Sequence, residues 1–192
     1  MKTLTWDVDD VLNDLMRDWL RLWWLPQHPQ CKLAYDEIRE NPPERILCVP
    51  RETYLESLDA FRREHGPSLM PNAALLAWFQ SHGHRFRHMA LTTVPLHFAD
   101  VSAAWVMKHF GNWIRSFNVV PSPRADAPHV QYDRSKAEFL DWLGTPDMMI
   151  DDNPKTIAEV GRSCIGTLLW PQPWNDSRLT PAQALEALAR MD

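Results

Sequence analysis

Two short acidic clusters follow apolar runs in this chain. Asp7-Val8-Asp9-Asp10 comes after Leu4-Thr5-Trp6, and Asp151-Asp152 comes after Met148-Met149-Ile150. Side chains two apart on a strand share a side, so Asp7 and Asp9 project together. Close carboxylates repel one another, and they relieve this by sharing a proton or binding a cation. Magnesium suits an all-oxygen site and keeps several of its waters. Ligands of open parallel sheets bind beyond the carboxyl ends of the strands. Were both runs parallel strands, the two clusters would come up on one edge. Thr92-Thr93 end a third apolar run, Met89-Ala90-Leu91, and Lys136 opens a helical segment. Each feature has a plainer explanation when taken alone. Acids after a strand serve as helix caps, Asp152-Asn153-Pro154 precedes a helical stretch, Thr92 suits a turn, and a lone Lys is ordinarily solvated. Their order along the chain, each near an element end, favours chemistry.

The elements that must position these residues are legible from periodicity. Residues 2–6 read as a strand, and residues 13–25 as a helix with Leu15, Met16, Trp19, Leu20, Trp23 and Trp24 at three- and four-residue steps. Residues 26–50 are rich in Pro and irregular. A helix is predicted over 51–65, stopped by Gly66-Pro67, and another opens at Pro71 and ends at Gly83. From there strand and helix alternate. Strands are expected at 85–93, 114–120, 148–150 and 165–170, and helices at 99–110, 135–143, 155–161 and 181–191. That alternation argues for a parallel sheet with helices on both faces. Residues 14–70 interrupt it and read as a mostly helical insertion. The expected division is therefore a core of residues 1–13 and 71–192 with a cap insertion of residues 14–70.

Composition narrows the function classes. The chain has 192 residues, a net charge of −5 and a pI near 5.9. No basic stripe suits long nucleic acids, whereas a small phosphate ester stays open because a metal can neutralise it locally. No apolar run approaches a membrane span. Three acids within the first ten residues argue against a signal peptide. Cys31, Cys48 and Cys164 are widely spaced and form no CxxC pair, which signals neither zinc nor a disulfide framework. A reducing, cytoplasmic compartment fits. Eight His are scattered, and apart from His82-x-His84 they show no ligand spacing. Trp19, Trp23 and Trp24 could stack on a base, but at helical spacing aromatic residues are core residues by default.

At these positions the sequence resembles the haloacid dehalogenase-like (HAD) superfamily. Asp7-Val8-Asp9, Thr92, Lys136 and Asp151-Asp152 match its four motifs in order, from residue 7 to residue 152. More narrowly, it is similar to the 5′(3′)-deoxyribonucleotidase family. That likeness rests on Ala104-Trp105-Val106-Met107-Lys108-His109-Phe110-Gly111, on Pro173-Trp174-Asn175, and on where the helical insertion falls. Asp10 departs from the pattern, since most relatives have Gly there. The resemblance implies a Rossmann-like α/β core with a small helical cap. It also implies a Mg²⁺-dependent phosphomonoester hydrolase. Asp7 would be its nucleophile and Asp9 its general acid and base. Thr92, Thr93 and Lys136 would bind the phosphate. Mg²⁺ would be held by Asp7, the Asp9 carbonyl, and Asp151 or Asp152. The expected substrate is a (deoxy)nucleoside monophosphate. The alternatives are another small ester, a polynucleotide 3′-end, or a non-catalytic binding protein that kept the fold. Oligomeric assembly is left open.

Overall fold

In the computed structural model, residues 1–122, 129–144, 146–163 and 165–191 are described; Cys164 lies outside them. Five strands form one parallel sheet: β1 (Thr3–Trp6), β2 (Arg87–Thr92), β3 (Ile114–Val119), β4 (Met148–Asp151) and β5 (Gly166–Leu169). Their spatial order is β3-β2-β1-β4-β5, so β1 is central and each later step is a crossover. The period of two separates the faces. Leu4, Trp6, Ala90, Ile114, Ile150 and Leu168 join one apolar cluster, and Met89, Leu91 and Met149 join another. This is the expected α/β architecture, with helices on both faces.

On the first face lie α4 (Ala73–His82), α5 (Ala99–Phe110) and α8 (Pro181–Ala189), through Leu75, Phe79, Val106, Phe110 and Leu188. On the second lie α6 (Lys136–Leu143) and α7 (Pro154–Val160), through Phe139, Leu140 and Val160. Between β1 and α4 runs a helical path of α1 (Leu15–Trp19), a π-type turn (Leu20–Trp24) and α2 (Leu25–Gln27). After an irregular stretch comes α3 (Arg51–His65). Residues 14–70 leave and rejoin the sheet region side by side. Asn13 bridges Pro71 in antiparallel fashion, and Asn72 N–H donates to the Leu12 carbonyl at 2.8 Å.

Trp19 and Trp24 are buried, with ring centroids 5.3 Å apart, and Tyr54 meets Trp19 edge-on at 5.2 Å. Trp23 packs edge-on against Phe61 and His65. These Trp therefore serve packing, as their helical spacing suggests.

The helix expected over residues 13–25 begins only at Leu15 and continues through the π-type turn to Gln27, and two further boundaries differ from the sequence expectation. Pro71 takes part in the bridge to Asn13, and Asn72 caps α4 by accepting from Leu75 N–H at 3.1 Å. A side-chain acceptor at that position satisfies an N–H that the helix leaves unpaired. Residues 83–85 form a short 3₁₀ turn, and β2 starts only at Arg87, whose N–H donates to the Lys2 carbonyl. Gly83 lies so close to Trp113 that a Cβ would approach the ring within 2.6 Å. The turn needs the missing side chain.

His88 on β2 is buried beside Trp6. The Trp6 indole N–H donates to His88 Nδ1 at 3.0 Å, and His88 Nε2 lies 2.8 Å from the Gly83 carbonyl. An indole can only donate, so Nδ1 accepts and the proton is on Nε2. Burial pulls this imidazole down to about 4. Protonation therefore favours the unfolded chain. The stabilising contribution is complete above the unfolded value near 6.5 and is lost as pH falls toward 4, by at most about 3 kcal/mol. Urea unfolding at pH 7, 6 and 5 should show stability declining through this window. The decline should shrink in His88→Gln.

Candidate active site

Strand register sets the geometry. Trp6 pairs with Ala90 on one side and Ile150 on the other, and Asp7 N–H donates to the Ile150 carbonyl at 2.9 Å. Asp7 and Asp151, each one residue past this row, are therefore neighbours. Thr92 ends the adjacent strand on the same edge. Lys136 is the first residue of α6, whose N-cap Ser135 accepts from Glu138 N–H at 3.3 Å. The cap sets the helix start, and Lys136 extends into the sheet edge with only 6% of its surface exposed. Its Nζ lies 2.7 Å from Asp7 Oδ1 and 2.7 Å from Asp151 Oδ2. The bland expectation of a solvated lysine does not hold.

Burial alone would lower the Lys136 ammonium, but Asp151 and Asp7 outweigh it and hold the group above its ordinary range. It is a fixed cation. Burial pushes the Asp7 carboxyl up, Lys136 pulls it down, and Asp151 and Asp152 push it up again. Burial followed by Asp151 and Asp10 does the same to Asp152. One oxygen from each of Asp7, Asp151 and Asp152 falls within 4.8 Å of the others. Three carboxylates thus crowd one ammonium.

The carboxylates are not equivalent. Asp151 is fully engaged, by Lys136 on Oδ2 and by Asn153 N–H on Oδ1 at 2.8 Å. Asp7 Oδ1 takes Val8 N–H and Lys136, and Asp152 Oδ2 takes the Trp174 indole N–H at 2.8 Å. Among the described residues, no donor reaches Asp7 Oδ2 or Asp152 Oδ1. Three clustered carboxylates, two of them with an oxygen clear of described donors, fit a hard divalent cation.

Asp9 follows Asp7 across a turn and lines the same cleft. Asn13 Nδ2 donates to its Oδ1 at 3.2 Å, and Arg62 Nη2 to its Oδ2 at 2.7 Å. Arg62 comes from α3, in residues 14–70. Sequence reasoning missed it, although a signal was present: Arg62 lies four residues after Leu58 and eight after Tyr54, a charge beside the apolar face of the helix.

Asp10 takes φ +61°, ψ +9°, in the left-handed region. Glycine is the easy residue there, which explains why Gly would be expected at this position. Asp is tolerated because its Oδ1 accepts from Met16 N–H at 2.7 Å, close to the start of α1.

All seven site residues expected from sequence (Asp7, Asp9, Thr92, Thr93, Lys136, Asp151 and Asp152) line one cleft of about 640 Å³. Met16, Tyr54, Leu58, Arg39 and Trp174 border it as well, whereas Trp19, Trp23 and Trp24 do not.

Searches of protein-family models and of curated proteins return no match for this chain. Solved structures do match. A haloacid dehalogenase-like family hydrolase from Streptococcus pneumoniae superposes with a TM-score of 0.56 at 11% identity, covering 87% of this chain and 83% of that one. The fold is that of the HAD hydrolases. A HAD-hydrolase from Bacillus subtilis bound to magnesium gives a TM-score of 0.51 at 15% identity, over 86% of this chain and 85% of that one. A subfamily IA HAD hydrolase from Geobacter sulfurreducens gives 0.50 at 12% identity, over 87% and 85%. Within this HAD fold, no helix among the described residues is long and apolar enough to cross a membrane.

Replacing Lys136 with Met would leave two buried carboxylates without their cation. An uncompensated buried charge costs about 3–5 kcal/mol. Urea unfolding at pH 7.5 should show a loss of that order, smaller at pH 5, where the acids can take up protons. At position 10, Gly relieves the left-handed backbone but loses the bond to Met16, so Asp10→Gly should stay within about 1 kcal/mol of the parent. Asp10→Ala keeps the strain and loses the bond. The same unfolding measurement should show it about 2 kcal/mol less stable.

Proposed function

We propose that the chain is a Mg²⁺-dependent phosphomonoester hydrolase working through an aspartyl-phosphate on Asp7. The observation that carries this reading is Lys136 held between Asp7 and Asp151 at the carboxyl edge of a parallel sheet. A carboxylate repels a phosphate dianion, so a carboxylate nucleophile needs fixed positive charge beside it. A buried ammonium 2.7 Å away supplies part of that need.

The proposed steps are those that the HAD resemblance implies for these residues. Asp7 attacks phosphorus, and the bond from phosphorus to the ester oxygen breaks. Asp9 gives a proton to the departing oxygen. It then takes one from a water, which attacks phosphorus and frees Asp7. Thr92 and Thr93 donate to the phosphate oxygens, and Lys136 offsets charge on both nucleophile and phosphate. Asp7, the Asp9 carbonyl and Asp152 would hold Mg²⁺, with Asp151 orienting Lys136. Bound there, the ion would supply positive charge that offsets the charge of the phosphate. A fold neighbour bound to magnesium supports this assignment, as do the two open carboxylate oxygens.

Residues 14–70 act as the cap. They supply Met16, Tyr54 and Leu58 to the cleft, and Arg62 to Asp9. The mixed lining and the volume suit a nucleoside monophosphate, with Tyr54 and Trp174 as the aromatic residues at hand. Because Trp19, Trp23 and Trp24 pack elsewhere, recognition of a base falls to those two.

Asp7→Asn should lower Mg²⁺-dependent phosphate release from an aryl phosphate by at least about 10²-fold, with an unchanged far-ultraviolet circular dichroism spectrum. Near-parental turnover in that variant would refute the nucleophile. A panel of nucleoside monophosphates, sugar phosphates and a 3′-phosphorylated oligonucleotide tests the substrate. Faster turnover of either other class overturns the nucleotide assignment while leaving the chemistry in place.

A further inference from the structure

The loop after β5 reaches into the cleft with Trp174, whose indole N–H the scheme above leaves without a role. Trp174 Nε1 lies 2.8 Å from Asp152 Oδ2. An indole offers one donor and no acceptor, so the contact selects one carboxylate oxygen and frees the other. The orientation of this carboxylate matters, because Asp152 contributes an oxygen within 4.8 Å of oxygens from Asp7 and Asp151.

The loop is itself anchored. Asn175 Nδ2 donates to the carbonyls of Asp152 and Trp170, at 2.8 Å each. Gln172 Nε2 donates to the Asp10 carbonyl at 2.5 Å, and Gln172 Oε1 accepts from the Tyr35 hydroxyl at 2.6 Å. Tyr35 also meets the Trp174 ring edge-on, with centroids 6.0 Å apart. The indole is thus fixed from the core side by Asn175 and from residues 14–70 by Tyr35. A purely apolar side chain would fill the same space but would not choose between the two Asp152 oxygens.

We propose that Trp174 is a positioning residue for Asp152. Its indole N–H holds the carboxylate in the rotamer that presents an oxygen toward Asp7, so a divalent cation meets ligands already oriented. This rests on the metal-dependent reading above. Losing an outer partner of a metal ligand typically weakens metal binding 10- to 100-fold.

Trp174→Phe keeps the ring and deletes the donor. Calorimetric titration of the full chain with Mg²⁺ should show binding weakened by about 10- to 100-fold. Turnover of an aryl phosphate, which carries no base, should recover at high Mg²⁺, and the metal-free thermal midpoint should stay within a few degrees of the parent. Trp142→Phe, at a residue 74% exposed on α6, should bind Mg²⁺ as the parent does. Parental affinity in Trp174→Phe, or an equal loss in Trp142→Phe, overturns the inference while the hydrolase reading stands. A parent chain that binds no Mg²⁺ sinks both.

A second measurement avoids substitution. In the ¹⁵N-labelled parent, the assigned Trp174 indole N–H resonance should shift along the Mg²⁺ titration with the calorimetric midpoint. A resonance unmoved through saturation overturns the inference as well.

Discussion

A buried ammonium needs partners on the side from which water has been removed, and Lys136 has two of them at 2.7 Å. Taking such a charge out of water costs several kcal/mol unless close carboxylates offset it. This constrains the fold around it. Asp7 and Asp151 must leave adjacent strands at the same height, which the pairing of Trp6 with Ile150 ensures. The first residue of α6 must point at that edge, which the Ser135 cap ensures. The apolar clusters on the two faces of the sheet hold β1 between β2 and β4, and so fix both conditions.

The same trio explains why the surrounding polar groups are arranged unequally. Asp151 spends both oxygens on Lys136 and the Asn153 N–H, so it orients the ammonium. Asp7 and Asp152 each keep one oxygen clear of described donors. The chain after β1 must also turn sharply enough to bring Asp9 back over the edge. It does so through a left-handed residue, Asp10, whose own carboxylate is then occupied by the Met16 N–H. Backbone strain at the turn is offset by a hydrogen bond near the helix that follows.

How much of this could be read in the sequence depended on the range of the interactions. Periodicity is local, so the strands, α3 and α5 emerge with nearly their observed bounds. The acids at strand ends are likewise local, and a parallel sheet brings them together without further information. Lys136 is different. Nothing adjacent to it distinguishes a buried bridging lysine from a solvated one, since its partners lie 129 and 15 residues away. Arg62 and Trp174 are harder still. Their roles exist only once residues 14–70 and the loop after β5 fold over the strand ends. Pro71 shows the opposite failure: a strong local helix-start signal yielded to a tertiary demand, the bridge that joins the two ends of the insertion.

Besides the Met16 N–H on Asp10, residues 14–70 reach the loop after β1 through Arg62 and Tyr35. Arg62 holds a carboxylate oxygen of Asp9, and Tyr35 reaches the Asp10 carbonyl through Gln172. These contacts fall on neighbouring residues, one of them the proposed acid and base. A group that must give up a proton and then take one back needs a stable orientation through both steps. Asn13 alone, at 3.2 Å, would fix one oxygen and leave the plane of the carboxylate free to turn. With Arg62 on the other oxygen, the plane is set. Half of that restraint comes from the insertion, so the orientation of Asp9 is complete only when α3 lies where it does here.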